Sequence, residues 1–157
     1  MFAERVADYM ELRSRLAAQM PPLSQTATPE ELDRYREELA GAIRKARAHA
    51  RQGDFFTPAV VPQFRTIIRN DLRSREARDA MAALQDVPPT LSLRVHASWP
   101  RNAPRATVPA RLLNNLYHLP EGLEYRFIGR HLVLLDITAD LIVDYVTNVV
   151  PSSIRRR

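Results

Sequence analysis

The sequence predicts an α+β domain, with an N-terminal helical hairpin or three-helix unit packed on a small C-terminal antiparallel sheet of three to four strands. Three observations predict it. Apolar residues recur at helical spacing through the first half of the chain. The pairs Thr28-Pro29 and Thr57-Pro58 supply helix starts between those runs. Beyond Val87-Pro88-Pro89 the apolar period drops to two, the spacing of half-buried strands. A chain of 157 residues can bury about two-thirds of its unfolded surface, enough for one core. The reading is a single domain over 1–150, with a helical half at 1–86, a β half at 90–148, and a flexible basic tail at 151–157.

The first helix spans 3 to 20, carrying Phe2, Val6, Tyr9, Met10, Leu16 and Met20 on its stripe, and Pro21-Pro22 ends it. In the second, Thr28 caps, Pro29 takes the first helical position and Glu31 completes a capping box. Leu32, Tyr35, Leu39, Ile43, Ala46 and Ala50 form its apolar face, and Gly53 is read as the residue just past its end. The third is expected to start at Thr57-Pro58, to bury Val60, Val61, Phe64, Ile67, Ile68 and Leu72, to break near Ser74, and to run on to Met81 or Leu84.

Leu91 to Ala97 alternates strictly and reads as a strand. A Pro-rich connection from Trp99 to Thr107 leads to a short helix over Val108 to Leu116. The strongest β signal follows: Leu123 to Ile128, a Gly129-Arg130 turn of type II′ preference, and His131 to Ile137. Thr138-Ala139-Asp140 then turns into Leu141 to Val146, making a meander that the strand at Leu91 is expected to join. Parity assigns Tyr125, Phe127, Leu132, Leu134, Val143 and Tyr145 to the face on the helices. Glu124, Arg126, Val133, Leu135, Ile142 and Asp144 go to the other face.

Chemistry is harder to read. With no cysteine there is no disulfide and no thiolate metal site. Neither HExxH, GxSxG nor a phosphate-cradling glycine loop occurs, so no metalloprotease, α/β-hydrolase or nucleotide-binding signature is present. His96 and His131 with Asp136, Asp140 or Asp144 would supply nitrogen and oxygen ligands for a metal-binding alternative, but as scattered strand and loop residues they define no site. No catalytic, cofactor or metal residue is assigned, and the chain is read as non-enzymatic. Arg126 and Asp144, expected on one face, are read as an ion pair. Trp99, Val133, Leu135 and Ile142 are read as an interaction surface for a protein partner or a second copy.

The net charge is +5, almost all of it from arginine, since Lys45 is the single lysine. With a sequence pI near 10.2, a basic stripe of Arg44, Lys45, Arg47 and Arg51 followed by Arg65, Arg69, Arg73, Arg75 and Arg78 would suit nucleic-acid phosphates. Against that alternative, Glu30, Glu31, Glu37 and Glu38 share the first helix of the stripe, and no aromatic residues interleave it for stacking. No apolar run reaches the length of a membrane span, and the charged start Met1-Phe2-Ala3-Glu4-Arg5 is no signal peptide.

The run Leu119-Pro120-Glu121-Gly122-Leu123-Glu124-Tyr125-Arg126-Phe127-Ile128-Gly129-Arg130-His131-Leu132-Val133-Leu134-Leu135-Asp136, with Leu141-Ile142-Val143-Asp144 after it, resembles the C-terminal part of a group of uncharacterised exported bacterial proteins. Gly53-Asp54-Phe55-Phe56-Thr57-Pro58 also looks like that group. More distantly, the hairpin is similar to that of periplasmic nickel and cobalt homeostasis proteins of the RcnB type. The resemblance implies a removed leader and a periplasmic or secreted location, with no activity attached. The sequence reading is therefore an exported interaction or accessory domain with an envelope protein as partner, nucleic acid and metal binding being the alternatives.

Overall fold

The computed structural model describes residues 1–75, 78–79, 92–100 and 108–150. Its helices are α1 (Phe2–Ala18), α2 (Pro29–Ala46), α3 (Val61–Asp71) and the short α4 (Ala110–Asn115). The strands β1 (Leu123–Ile128), β2 (His131–Asp136) and β3 (Leu141–Val146) follow. The chain is thus α+β, with a three-stranded antiparallel sheet in the order β1-β2-β3.

Local chemistry sets most of these boundaries. Thr28 Oγ1 accepts the Glu31 backbone N–H at 3.2 Å, and Pro29 opens α2 where its missing N–H costs nothing. The helix stops at Ala46, short of the expected Ala50, so Gly53 is a loop residue rather than its terminal glycine. Thr57 does not cap α3. Its carbonyl accepts the N–H groups of Val60 and Val61, both at 2.9 Å, a turn that delays the helix to Val61. The break expected near Ser74 falls where α3 ends at Asp71; Arg75, Arg78 and Asp79 beyond it are helical, and the rest of the continuation toward Leu84 lies outside the described residues. So do the tail 151–157 and the connection 101–107.

The hairpin closes as its sequence demands. Gly129 takes φ +57° while Arg130 stays out of the left-handed region, which fits the type II′ preference. β1 pairs with β2 from Leu123↔Asp136 to Ile128↔His131.

Two expectations about the sheet are corrected. Residues 92–97 form no strand, because His96 sits at φ +70° and turns the chain out of the extended region. Among the described residues, the backbone of the segment bonds to the outer edge of β3 at Ile142 alone. The His96 N–H donates to the Ile142 carbonyl, and the Ile142 N–H to that of Ala97, both at 2.8 Å. Secondly, the β2–β3 register shifts between Leu134 and Leu135, so that Leu135 pairs with Ile142 but Leu134 with Asp144. The extra residue reverses the parity of the rest of β3. Val146 rather than Tyr145 enters the helix-side core, and Asp144 joins it there.

That core joins Phe2, Val6 and Tyr9 of α1, Leu39 and Ile43 of α2, Phe64 and Ile68 of α3, and the inner residues of all three strands. At its centre Phe2, Phe56 and Phe64 meet ring on ring at 5.1 to 5.5 Å, with the edge-to-face geometry that aromatic quadrupoles favour in two of the three contacts. The opposite face of the sheet carries a second cluster of Ile128, Val133, Leu135 and Ile142, closed by Trp99. No helix among the described residues is long and apolar enough to cross a membrane.

Candidate functional site

The two aspartates that interrupt the strands are both 0% exposed, and each is surrounded by donors. Asp136, at the end of β2, accepts from Tyr9 Oη at 2.7 Å and Arg13 Nη1 at 2.9 Å. It also accepts the backbone N–H groups of Thr138 and Ala139 at 2.9 and 3.0 Å. The carboxylate thereby shapes the β2–β3 turn and ties α1 to it. Burial and the neighbouring Asp136 charge push the Tyr9 phenol well above its ordinary pKa, so Tyr9 remains a donor.

Asp144 does the same for the loop ahead of α3. Gly53 and Tyr145 donate backbone N–H bonds to its Oδ1 at 2.9 and 2.8 Å, and Phe55 and Phe56 to its Oδ2 at 2.9 Å each. Gly53 reaches this position at φ +95°, a conformation open to glycine at little cost. Burial raises the Asp144 carboxyl above the ordinary carboxylate range, while four backbone donors pull it back.

The expected Arg126–Asp144 ion pair is therefore not made. Asp144 faces the helices, whereas Arg126 lies on the opposite face and pairs through Nη2 with Glu124 Oε2 at 2.5 Å. The expected interaction surface is also corrected. Trp99 is 7% exposed, and Val133, Leu135 and Ile142 are buried beside it, so these residues close a second core instead of presenting an apolar patch.

What the second face does present is a hollow of about 250 Å³, walled by Trp99, Leu135 and Ile137 with the charged Arg36, Glu124, Arg126 and Asp140. Trp99 Nε1 and Arg126 Nε are both buried, and neither has a hydrogen-bond partner among the described residues. Buried donors of this kind ordinarily find acceptors. The Glu124–Arg126 pair is shared with a second, larger hollow of about 480 Å³ between β1 and the residues around α4. Its wall is mostly apolar (Val108, Leu113, Leu119, Leu123), with Leu113 and Tyr117 among the exposed large hydrophobic residues of the chain. Tyr117 is held there from both ends: its ring meets Phe2 edge-on at 5.4 Å, and its carbonyl accepts from Tyr125 Oη at 2.7 Å. Sequence reasoning found Trp99 and Arg126 for other reasons and missed Leu113, Tyr117, Arg36 and Ile137. The signal available was an apolar pair, Leu113 and Tyr117, four apart on and just past a short helix.

The histidines stand apart. Arg47 Nη1 lies 3.4 Å from His96 Nε2, and since a guanidinium only donates, that nitrogen is the acceptor of a neutral ring. Burial, then Arg47 and Arg44, lower the His96 pKa. His131 Nδ1 accepts the Asn148 N–H at 3.0 Å, and burial and Arg130 lower that pKa too. Among the described residues no three His, Asp or Glu side chains gather as a metal would require. Several arginines of the basic stripe are engaged internally. Arg47 stacks at 5.2 Å on both Tyr9 and Phe55, Arg44 donates to the His96 carbonyl, and Arg65 to that of Thr147.

The chain is thus an α+β fold with two adjoining hollows that share one ion pair. No family model, curated protein or solved structure matches the chain.

Proposed function

We propose that this domain is a non-enzymatic accessory module of the cell envelope that binds a partner protein in the groove between α4 and β1. The observation that carries the reading is the exposure of Leu113 and Tyr117 on the wall of that groove, backed by the core through Phe2. An aromatic residue held rigid by packing and open to solvent on one side is the usual anchor of an interface. The acid and base on the rim, Glu124 and Arg126, are paired with each other, so the groove favours an uncharged apolar segment of the partner. Binding rather than catalysis is supported by Asp136 and Asp144, whose carboxylates accept from backbone and side-chain donors that hold the fold together. The likeness of residues 119–136 to exported bacterial proteins supports the envelope location.

The test is affinity capture of the tagged full chain from its native cell, with envelope and cytosol kept apart, alongside a Leu113→Glu variant of equal circular dichroism. A defined envelope protein, retained at moderate salt and lost with the variant, is the expected result. A second copy of the chain as the retained species, a partner indifferent to Leu113→Glu, or salt-labile nucleic acid from the cytosol would each overturn the reading.

A further inference from the structure

The smaller hollow, on the sheet face away from the helices, goes beyond this reading and stands independently of it. We propose that it binds a free α-amino acid with an aliphatic side chain. Three features of one cavity combine. The first is a pair of buried donors on residues of its wall, Trp99 Nε1 and Arg126 Nε, neither with a partner among the described residues. A carboxylate has the acceptors both require, and it is the group a guanidinium and an indole N–H serve together.

The second feature is the pair of acids on the same wall. Glu124 uses Oε2 on Arg126, and Asp140 uses Oδ1 to accept the Trp99 backbone N–H at 3.3 Å. Among the described residues each carboxylate keeps a second oxygen to receive an ammonium. Asp140 is held in place by the turn, where it takes φ +51°, a conformation that aspartate tolerates better than most residues.

The third is balance of charge and size. Arg126 stands against Glu124, and Arg36, which also pairs with Asp33 at 3.6 Å, against Asp140, so the charges of the wall residues themselves balance. A lone anion or cation would leave an uncompensated charge in a half-enclosed site, whereas a zwitterion would not. Leu135, Ile137 and the indole provide the apolar side of the cavity. At about 250 Å³ there is room for roughly eight water-sized groups, the bulk of a small amino acid.

Trp99 is the single tryptophan of the chain and therefore its own reporter. Leucine and valine are titrated into the purified full chain and followed by tryptophan emission and by calorimetry. N-acetylleucine lacks the ammonium, and leucinamide lacks the carboxylate. The expected result is saturable binding of the free amino acids, weakened by about tenfold or more for each blocked analogue. Arg126→Gln and Glu124→Gln, checked by circular dichroism, should each bring a similar loss, and Trp99→Phe should lose heat of binding while keeping the fold. Absence of saturable binding at millimolar leucine overturns the proposal. Equal binding of leucine and either blocked analogue does so too. Leu113→Glu lies outside this hollow and should leave leucine binding unchanged, so this test and that of the partner groove fail separately.

Discussion

Tyr9 and Asp136 are joined by a 2.7 Å hydrogen bond across 127 positions of sequence, the phenol of α1 donating to the carboxylate that ends β2. Arg13, one helical turn further along α1, donates to the other oxygen of the same carboxylate. One side chain therefore docks the first helix on the last turn of the sheet, and the stability of that junction is open to measurement.

Tyr9→Phe keeps the ring in the core and under Arg47 but removes the donor. A hydrogen bond to a charged group is worth about 1.5–3 kcal/mol, and urea unfolding followed by circular dichroism should show a loss of that order with an unchanged m-value. A loss below about 0.5 kcal/mol, within the scatter of ordinary surface substitutions, would mean that the junction is held by packing alone.

Asp144→Ala strips the acceptor from the backbone N–H groups of Gly53, Phe55 and Phe56 at once. Each buried donor left unpaired costs about 1–3 kcal/mol, so the loop ahead of α3 should open or the domain unfold. Amide exchange at Phe55 and Phe56 reads this directly. Protection there equal to the parent protein's would contradict the anchoring role.

Gly122 sits at φ +97°, and a Cβ built on it falls 2.8 Å from both Nη atoms of Arg13. Gly122→Ala should therefore strain the turn and displace the Arg13 guanidinium from Asp136, with a drop in the thermal midpoint. Arg13→Ala should abolish the steric part of that penalty, and a double-mutant cycle reports the coupling. Strict additivity of the two substitutions would show that Arg13 does not pass over Gly122.

His96 and His131 both have lowered pKa values in the folded chain, from burial and from neighbouring arginines. The unfolded chain thus binds protons more readily than the folded one below the ordinary histidine value of about 6.5. The stability associated with the neutral rings is complete above that pH and is lost as pH falls toward the folded values. Denaturation midpoints should fall between about pH 7 and pH 5. His96→Asn suits the left-handed backbone and cannot titrate, so it should flatten part of that slope. An unchanged slope would remove His96 from the account.

The parts of the fold legible in sequence are those set by neighbours in the chain. Thr28-Pro29, the Gly129-Arg130 turn and the three alternating strands are of this kind, because capping, turn chemistry and period two are local. Asp144 was placed on the wrong face because a single bulge at Leu134/Leu135 reverses parity, and nothing in the local pattern announces it. Leu91 to Ala97 alternates like a strand, yet His96 turns left-handed where its segment meets Ile142. The hollows were not legible because they are built across distance. Arg36 comes from α2, Trp99 from a loop, and Glu124 and Arg126 from β1. Their residue types are ordinary; only the tertiary fold makes neighbours of them.

The central claim is that the α4–β1 groove is where this domain meets a protein. A photo-crosslinking residue placed at Tyr117 in the full chain, in its native cell, tests it most directly, with the same residue at exposed Arg34 on α2 as control. The account predicts one discrete adduct from Tyr117, absent from Arg34 and lost when Leu113→Glu is added. No adduct from Tyr117, or the same adduct from both positions, would contradict it.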